Sequence, residues 1–304
     1  MGQLEDMQVF IRVAEAGGIS RAAEQLGMAK SAVSRRVSEL EKRLGTRLIN
    51  RTTRATSLSE AGETYYERAL QLVDNVTELN SSLATPGIEL GGNIRLAAPL
   101  SFGLCHLSPA LEVFLDRHPG INLNVDFSDR QVDIIEEGLD FAFRISELKD
   151  SSMVARRICP VHRVLCASPA YLEVNGVPST IDELKQHTLL HYSLSTSVSW
   201  QLQDPQGKTH AIRISPRIKA TNGDFLVHMA IAGHGIIAMP TFIAWQAIEN
   251  GELLTLMKDY QLPSLNAYAV YPQGRYLSQR ARSLVDFLAE RFGEQPYWDK
   301  NIDR

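Results

Sequence analysis

The chain has 304 residues, 44% hydrophobic and 22% charged, with a net charge of -4. This is the balance of an ordinary globular protein of about two domains. Three cysteines (Cys105, Cys159, Cys166) are too few for a disulfide framework and lack zinc-finger spacing, no apolar run reaches the ~18 residues of a membrane span, and the N-terminal Met-Gly-Gln-Leu-Glu-Asp has no signal-peptide pattern, so a cytoplasmic protein with buried or half-buried thiols is expected.

The charge is unevenly spread. Residues 1–58 hold ten Lys and Arg against six Asp and Glu, while the other 246 residues hold 21 against 29. Between Lys30 and Arg54 there are eight cations and two anions. Such a local excess is the electrostatic footprint of phosphate binding.

A first helix over residues 4–16 is predicted from Leu4, Met7, Phe10, Ile11 and Ala14 at helical spacing. Gly17-Gly18 stops it. Ser20 is a good N-cap for a second helix over 21–26, closed by Gly27. A third runs over 31–44 to Gly45, with Val33, Val37, Leu40 and Leu44 in one narrow stripe. Opposite that stripe lie Ser31, Arg35, Ser38 and Lys42, with Ser34 on the flank. Short polar side chains and an arginine on an exposed first turn suit base edges in a major groove.

Residues 46–58 are rich in Thr and Arg and read as a short hairpin or wing. Arg51, Thr53 and Arg54 are candidate phosphate or minor-groove contacts there, the alternative being a solvated hairpin. A long helix over 59–83 follows. Its Tyr65, Ala69, Leu72, Val76, Leu79 and Leu83 repeat at heptad spacing, which predicts either pairing with a second copy or packing on the chain's own C-terminal domain. Pro86-Gly87 ends that helix, and Gly91-Gly92 forms a joint.

From residue 93 strands and helices alternate. Ile94, Leu96 and Ala98 start a first strand, an amphipathic helix spans 103–117, and residues 121–127 alternate strictly between apolar and polar. Further strands are expected at 141–145, 164–167, 189–192, 236–239 and 268–271. Helices are expected from Thr180, whose capping box ends at Glu183, over 223–232, and over 278–292. The texture predicts α/β domains with mainly parallel sheets, which bind ligands where strands end and helices begin.

Read in order, these segments resemble the LysR-type transcriptional regulators along the whole chain. The resemblance rests on Ile19-Ser-Arg-Ala-Ala-Glu-Gln-Leu-Gly27, Ala32-Val-Ser-Arg35, Leu40-Glu41, Leu44-Gly45, Leu48-Ile-Asn-Arg51 and Leu58-Ser-Glu-Ala-Gly62. It continues through Ile94-Arg-Leu-Ala-Ala-Pro99, Asp140-Phe-Ala-Phe-Arg144, Asn222-Gly-Asp-Phe225 and Ala232-Gly233-His-Gly235-Ile-Ile-Ala-Met-Pro240. It implies a winged helix-turn-helix over 1–58, a linker helix and hinge over 59–88, and a two-lobed effector domain over 89–304. That domain is like a periplasmic binding protein, with lobe I at about 90–161 and 267–304 and lobe II at about 162–266. The partners implied are double-stranded DNA, a small effector of organic-acid type, further copies of the chain as dimer or tetramer, and RNA polymerase. No cofactor and no metal are implied. One departure stands out: where the family often has Gln-Pro at the start of the recognition helix, this chain has Lys30-Ser31. Glutamine favours adenine and lysine favours guanine or phosphate, so the family's base preference does not carry over.

On this reading Lys30, Ser31, Ser34 and Arg35 contact bases or nearby phosphates, and Arg51, Thr53, Arg54 and Arg36 hold the backbone. For the effector, Leu100 and Ser101 sit at a helix N-terminus suited to a carboxylate. Phe102 offers an aromatic wall, Asn222 faces the cleft from the second lobe, and Thr196 and Ser197 are further candidates. Arg144 pairs either the effector or an internal carboxylate. Two other classes fit less well. A periplasmic solute-binding protein needs a secretion signal. An enzyme needs a reactive constellation, whereas Cys105-His106 are adjacent and His187-x-x-x-His191 crosses a helix-to-strand junction without a third ligand.

Overall fold

The structure is a computed structural model that describes residues 2–51, 56–84, 90–130, 132–147, 153–193, 199–273 and 277–302. The chain divides into two units, Met1–Asn93 and Ile94–Arg304.

In the first unit α1 (Gln3–Glu15), α2 (Ile19–Leu26) and α3 (Lys30–Leu44) pack around Phe10, Val13, Ala22, Val33, Val37 and Leu40. Each large apolar side chain so removed from water contributes roughly 1.5–3 kcal/mol. The apolar stripe of α3 stops one turn earlier than expected, because Leu44 is 37% exposed. Ser20 is not the cap of α2. The Ala22 N–H already donates to the Gly18 carbonyl at 3.1 Å, so the helical ladder starts upstream and Ser20 lies inside it. Gly27 (φ 62°) and Gly45 (φ 68°) end α2 and α3 in the left-handed region, as the sequence requires.

The hairpin β1 (Ile49–Arg51) and β2 (Thr56–Leu58) is antiparallel with Ile49 opposite Leu58. It leads into α4 (Glu60–Ala84), which Ser59 caps by accepting from the Gly62 N–H at 2.9 Å. Ser59 also donates its hydroxyl to the Arg47 carbonyl (2.6 Å) and its N–H to the Leu48 carbonyl (3.0 Å). Helix and hairpin meet so closely at Gly62 that a Cβ there would lie 1.9 Å from the Leu48 oxygen. The heptad seam is divided. Ala69 is buried against Met7 and Ile11 of α1, with Tyr65 packed beside it, whereas Leu72 and Leu79 are 51% and 61% exposed. The side chain of Leu83 lies outside the described residues.

The second unit begins with β3 (Gly91–Ala98). A helix then starts as α5 (Leu100–Phe102), widens into a π turn over Gly103–Leu107, and continues as α6 (Ser108–Arg117). After it come β4 (Gly120–Phe127), β5 (Phe141–Ser146), β6 (Met153–Val161), β7 (Arg163–Ala167), α7 (Pro169–Asn175), α8 (Ile181–Leu184) and β8 (Leu189–Tyr192). A hairpin of β9 (Ser199–Gln203) and β10 (Thr209–Arg213) follows, then β11 (Lys219–Ala220), α9 (Gly223–Ile231), β12 (Ile236–Pro240) and α10 (Thr241–Glu249). The unit closes with β13 (Leu254–Leu256), β14 (Leu265–Pro272), α11 (Gln279–Phe292) and a 3-10 turn at Tyr297–Asp299.

Two five-stranded sheets result, ordered β4-β3-β5-β14-β6 and β11-β8-β12-β7-β13. They are mixed, which corrects the expectation of mainly parallel sheets. β3 runs parallel to β5, and β8 parallel to β11 and β12. β14 runs antiparallel to β5 and β6, and β7 antiparallel to β12 and β13. The reason lies in the connections between sheets. His162 alone separates β6 from β7, and residues 257–264 return the chain to β14. Neither connection contains the helical crossover that would turn a strand parallel to its neighbours. Among the described residues no helix is long and apolar enough to cross a membrane.

Candidate functional site

The outer face of α3 carries most of the expected nucleic-acid contacts. Lys30 and Ser31 are exposed, Ser34 is half-buried, and the Arg35 side chain is 64% exposed with only a 4.0 Å approach to Glu39. Ala29 occupies the N-cap position and makes no side-chain cap, so no capping side chain covers the start of α3 beside Lys30 and Ser31. Arg36 is different, and its expected contact to DNA is corrected. It turns inward to Glu5 (3.1 Å) and Asp6 (3.2 Å) of α1, and its side chain is 16% exposed. Arg43 reaches the same Asp6 carboxylate at 2.9 Å. A buried carboxylate between two guanidiniums thus ties α1 to the back of α3. Glu41 accepts from the Leu48 and Ile49 N–H groups at 2.9 and 3.0 Å and fixes where the hairpin leaves the helix. Arg51 belongs to β1, while Thr53 and Arg54 lie outside the described residues.

In the second unit Ser101 and Asn222 come together across the two sheets. The buried Ser101 hydroxyl donates to the Asp224 carboxylate at 2.5 Å. Asn222 caps α9 by accepting from the Phe225 N–H at 2.9 Å, and its side-chain amide lies 3.4 Å from the same Asp224 oxygen. The Leu100 N–H donates to Asp129 at 3.1 Å. Burial, together with the negative charges of Asp129 and Asp224, pushes the Tyr192 phenol up to about 12. Helix starts, a neutral phenol and two carboxylates therefore frame this cleft.

Two expectations for the cleft need correction, and one for the thiols. Phe102 is no wall of it: the ring is fully buried, stacked on Phe143 at 4.6 Å and ringed by Phe242, Phe292 and Trp298. Arg144 donates to the Val132 carbonyl at 3.0 Å and supports a neighbouring loop. Cys105 is exposed, whereas Cys159 and Cys166 are buried with thiols pushed up to about 12 by desolvation. Thr196 and Ser197 lie outside the described residues.

Comparison with known proteins agrees with this geometry. The profile of bacterial regulatory helix-turn-helix proteins of the lysR family matches residues 4–63, and that of the LysR substrate binding domain matches residues 88–293. The chain belongs to the LysR family of transcriptional regulators. The LysR-type regulator CrgA of Neisseria meningitidis is 34% identical over 291 residues, which is 95% of this chain and 97% of that one. An HTH-type transcriptional regulator of Haemophilus influenzae is 36% identical over 91% of this chain and 96% of its own length. The solved structure of CrgA superposes with a TM-score of 0.62, covering 95% of this chain and 99% of that chain. Full-length AphB, a virulence activator of Vibrio cholerae, gives 0.59 at 28% identity, covering 95% of this chain and 99% of AphB.

As a LysR regulator the chain contains positioning residues that periodicity did not single out. Asp6 looks in sequence like any acidic first-turn residue, and only folding shows it enclosed by Arg36 and Arg43. Glu41, Ser59 and Gly62 were present in the family motif, but their roles at the helix–hairpin junction depend on backbone groups distant in sequence. Asp129 carried no signal beyond its turn position, and Asp224 lay in the family motif at 222–225 without anything to mark its bond to Ser101. His187 is bonded to the Tyr171 hydroxyl (3.1 Å), His191 is buried, and the described residues contain no cluster suited to a metal ion.

Proposed function

We propose that this LysR regulator inserts α3 into the major groove, with Lys30, Ser31, Ser34 and Arg35 at base edges and adjacent phosphates. Arg51, Thr53 and Arg54 hold the backbone from the wing. The exposed leucines of α4 pair two copies, so two half-sites are read together, and residues 1–58, 59–88 and 89–304 act as reader, linker and effector domain. The chain works in the cytoplasm on duplex DNA and meets RNA polymerase there; its activity is control of transcription and not catalysis. The observation that carries this reading is the polar, exposed outer face of α3 beside an inward-facing Arg36.

The effector binds between the lobes at Ser101 and Asn222, and Leu100 lines the entrance. With Asp129 and Asp224 on either side, a bare carboxylate is repelled there, and a ligand offering hydrogen-bond donors is favoured. Binding breaks or replaces the Ser101–Asp224 hydrogen bond and shifts the population of lobe arrangements. Fluorescence anisotropy on DNA upstream of the gene tests the DNA part: Arg35→Ala should weaken specific binding about tenfold and lower the salt slope by about one unit. Unchanged specific affinity removes Arg35 from the interface.

A further inference from the structure

A second pocket lies away from Ser101 and Asp224, beside the two connections that join the sheets. It has a volume of about 360 Å³, within the range of small-molecule sites. One wall comes from His162 and Arg163 where β6 passes to β7, and the other from residues 257–264 on the way to β14. Leu165, Leu256 and Leu262 supply an apolar floor with Tyr260 at its edge.

Two features set this pocket apart. The half-buried Arg163 guanidinium donates no side-chain hydrogen bond and joins no ion pair among the described residues. Desolvation lowers its pKa, and Glu147, the acid that faces it, only partly offsets that. A cation held out of water without a fork of acceptors is costly unless something supplies them. The second feature is Met257, the non-glycine residue with positive φ (48°) among those described. Left-handed backbone at such a residue is strained, and strain of this kind persists where a local shape is required.

We infer that the hinge pocket is a second ligand site, one that takes a small organic acid: a carboxylate forked by Arg163 with an apolar body on Leu165, Leu256 and Leu262. The inference goes beyond the proposed function, since it shares no residue with the cleft at Ser101. Both connections between the sheets form its walls, so an occupant bridging them restrains how the lobes move about the hinge.

Calorimetric titration of the full chain tests this with phenylacetate and 4-methylpentanoate, each against its uncharged amide. Both acids should bind, and each amide should bind about tenfold more weakly or worse. Arg163→Met should reduce acid affinity about tenfold or more, and Arg163→Lys, which keeps the charge without the fork, should fall between. Ser101→Ala and Asp224→Asn, which lie outside the pocket, should change acid affinity far less than Arg163→Met does. The unliganded Arg163→Met protein should melt no lower than wild type, because the guanidinium has no hydrogen-bonded partner to lose and the attraction of the exposed Glu147 does not repay its desolvation. Any of four results overturns the proposal: neither acid binds, acid and amide bind alike, Arg163→Met retains full affinity, or Ser101→Ala weakens the acid as much as Arg163→Met. A marked drop in the melting temperature of Arg163→Met also overturns it, since Arg163 would then have a structural role.

Discussion

The outer face of α3 and the cleft between the two sheets treat their polar residues in opposite ways. On α3 the groups offered to a ligand are exposed and have few internal partners, while the charged groups that hold the unit together, Asp6 with Arg36 and Arg43, face inward. In the cleft the groups proposed to meet a ligand do both jobs: Ser101 bonds Asp224 across the two sheets, and Asn222 lies against the same Asp224 oxygen. A surface meant for a rigid, highly charged polymer can be built in advance. A cleft that must change with a small molecule needs contacts that the molecule can replace. Substitutions on α3 should therefore separate stability from binding, and substitutions in the cleft should not.

The largest effect is expected where the reader unit is held in shape. Gly62→Ala places a methyl 1.9 Å from the Leu48 carbonyl oxygen, which is backbone and not free to yield. Helix and hairpin must separate, at a cost of about 3 kcal/mol. Chemical denaturation followed at the first unit measures this. A loss under about 1 kcal/mol would mean that the junction is more compliant than its hydrogen bonds suggest.

Neighbouring arginines give a sharper separation. Arg35→Ala should cost about 1–3 kcal/mol in specific DNA binding and leave stability nearly unchanged. Arg36→Ala should do the reverse, because it removes one of two partners from the buried Asp6 carboxylate, worth about 2 kcal/mol of stability. The salt slope of binding should fall for Arg35→Ala alone. Equal slopes for the two variants would abolish the distinction between outward and inward faces.

These cases show what was legible in the sequence. Periodicity located the three helices of the reader unit because each buries one continuous stripe, and Gly27 and Gly45 marked two ends through chemistry that few other residues share. The cap at Ser20 misled because local cap preference says nothing about a ladder that starts at Gly18. Strand direction was not legible either, since it depends on how the chain crosses from one sheet to the other at His162 and at residues 257–264. Site residues followed the same rule. Ser101 and Asn222 stood out at helix starts, but Phe102 was misplaced because an aromatic next to a cleft motif reads the same whether it faces ligand or core. The role of Asp224, which joins the two sides, could be recognised only once α5 and α9 were brought together.

In the cleft stability and function should move together. Ser101→Ala removes a hydrogen bond to a carboxylate that spans the lobes, worth about 1.5 kcal/mol. Hydrogen exchange at the start of α9 should speed up, and the effector response should weaken in the same variant. Faster exchange with an unaltered response would show that the latch is structural only.

The smallest effect concerns pH and lies at a second contact between the lobes. His106 sits in the π turn, with one ring nitrogen 2.9 Å from the Phe242 carbonyl and the other 2.6 Å from the Tyr297 hydroxyl. A carbonyl only accepts, so Nε2 carries the hydrogen and Nδ1 accepts from the tyrosine. Burial among aromatic rings lowers the pKa of His106 below 6.5, although the bond to Phe242 works against it. The unfolded chain therefore takes up the proton first as pH falls. The stability that the neutral ring contributes is complete above 6.5 and is lost below it, down through the folded value. Unfolding free energy of the wild type should consequently decline more between about pH 8 and pH 5 than that of His106→Gln, whatever the difference between them at neutral pH. Parallel pH profiles would mean that His106 ionises in the folded protein as readily as in water, and that the contact to α10 yields to solvent far more easily than the one at Ser101.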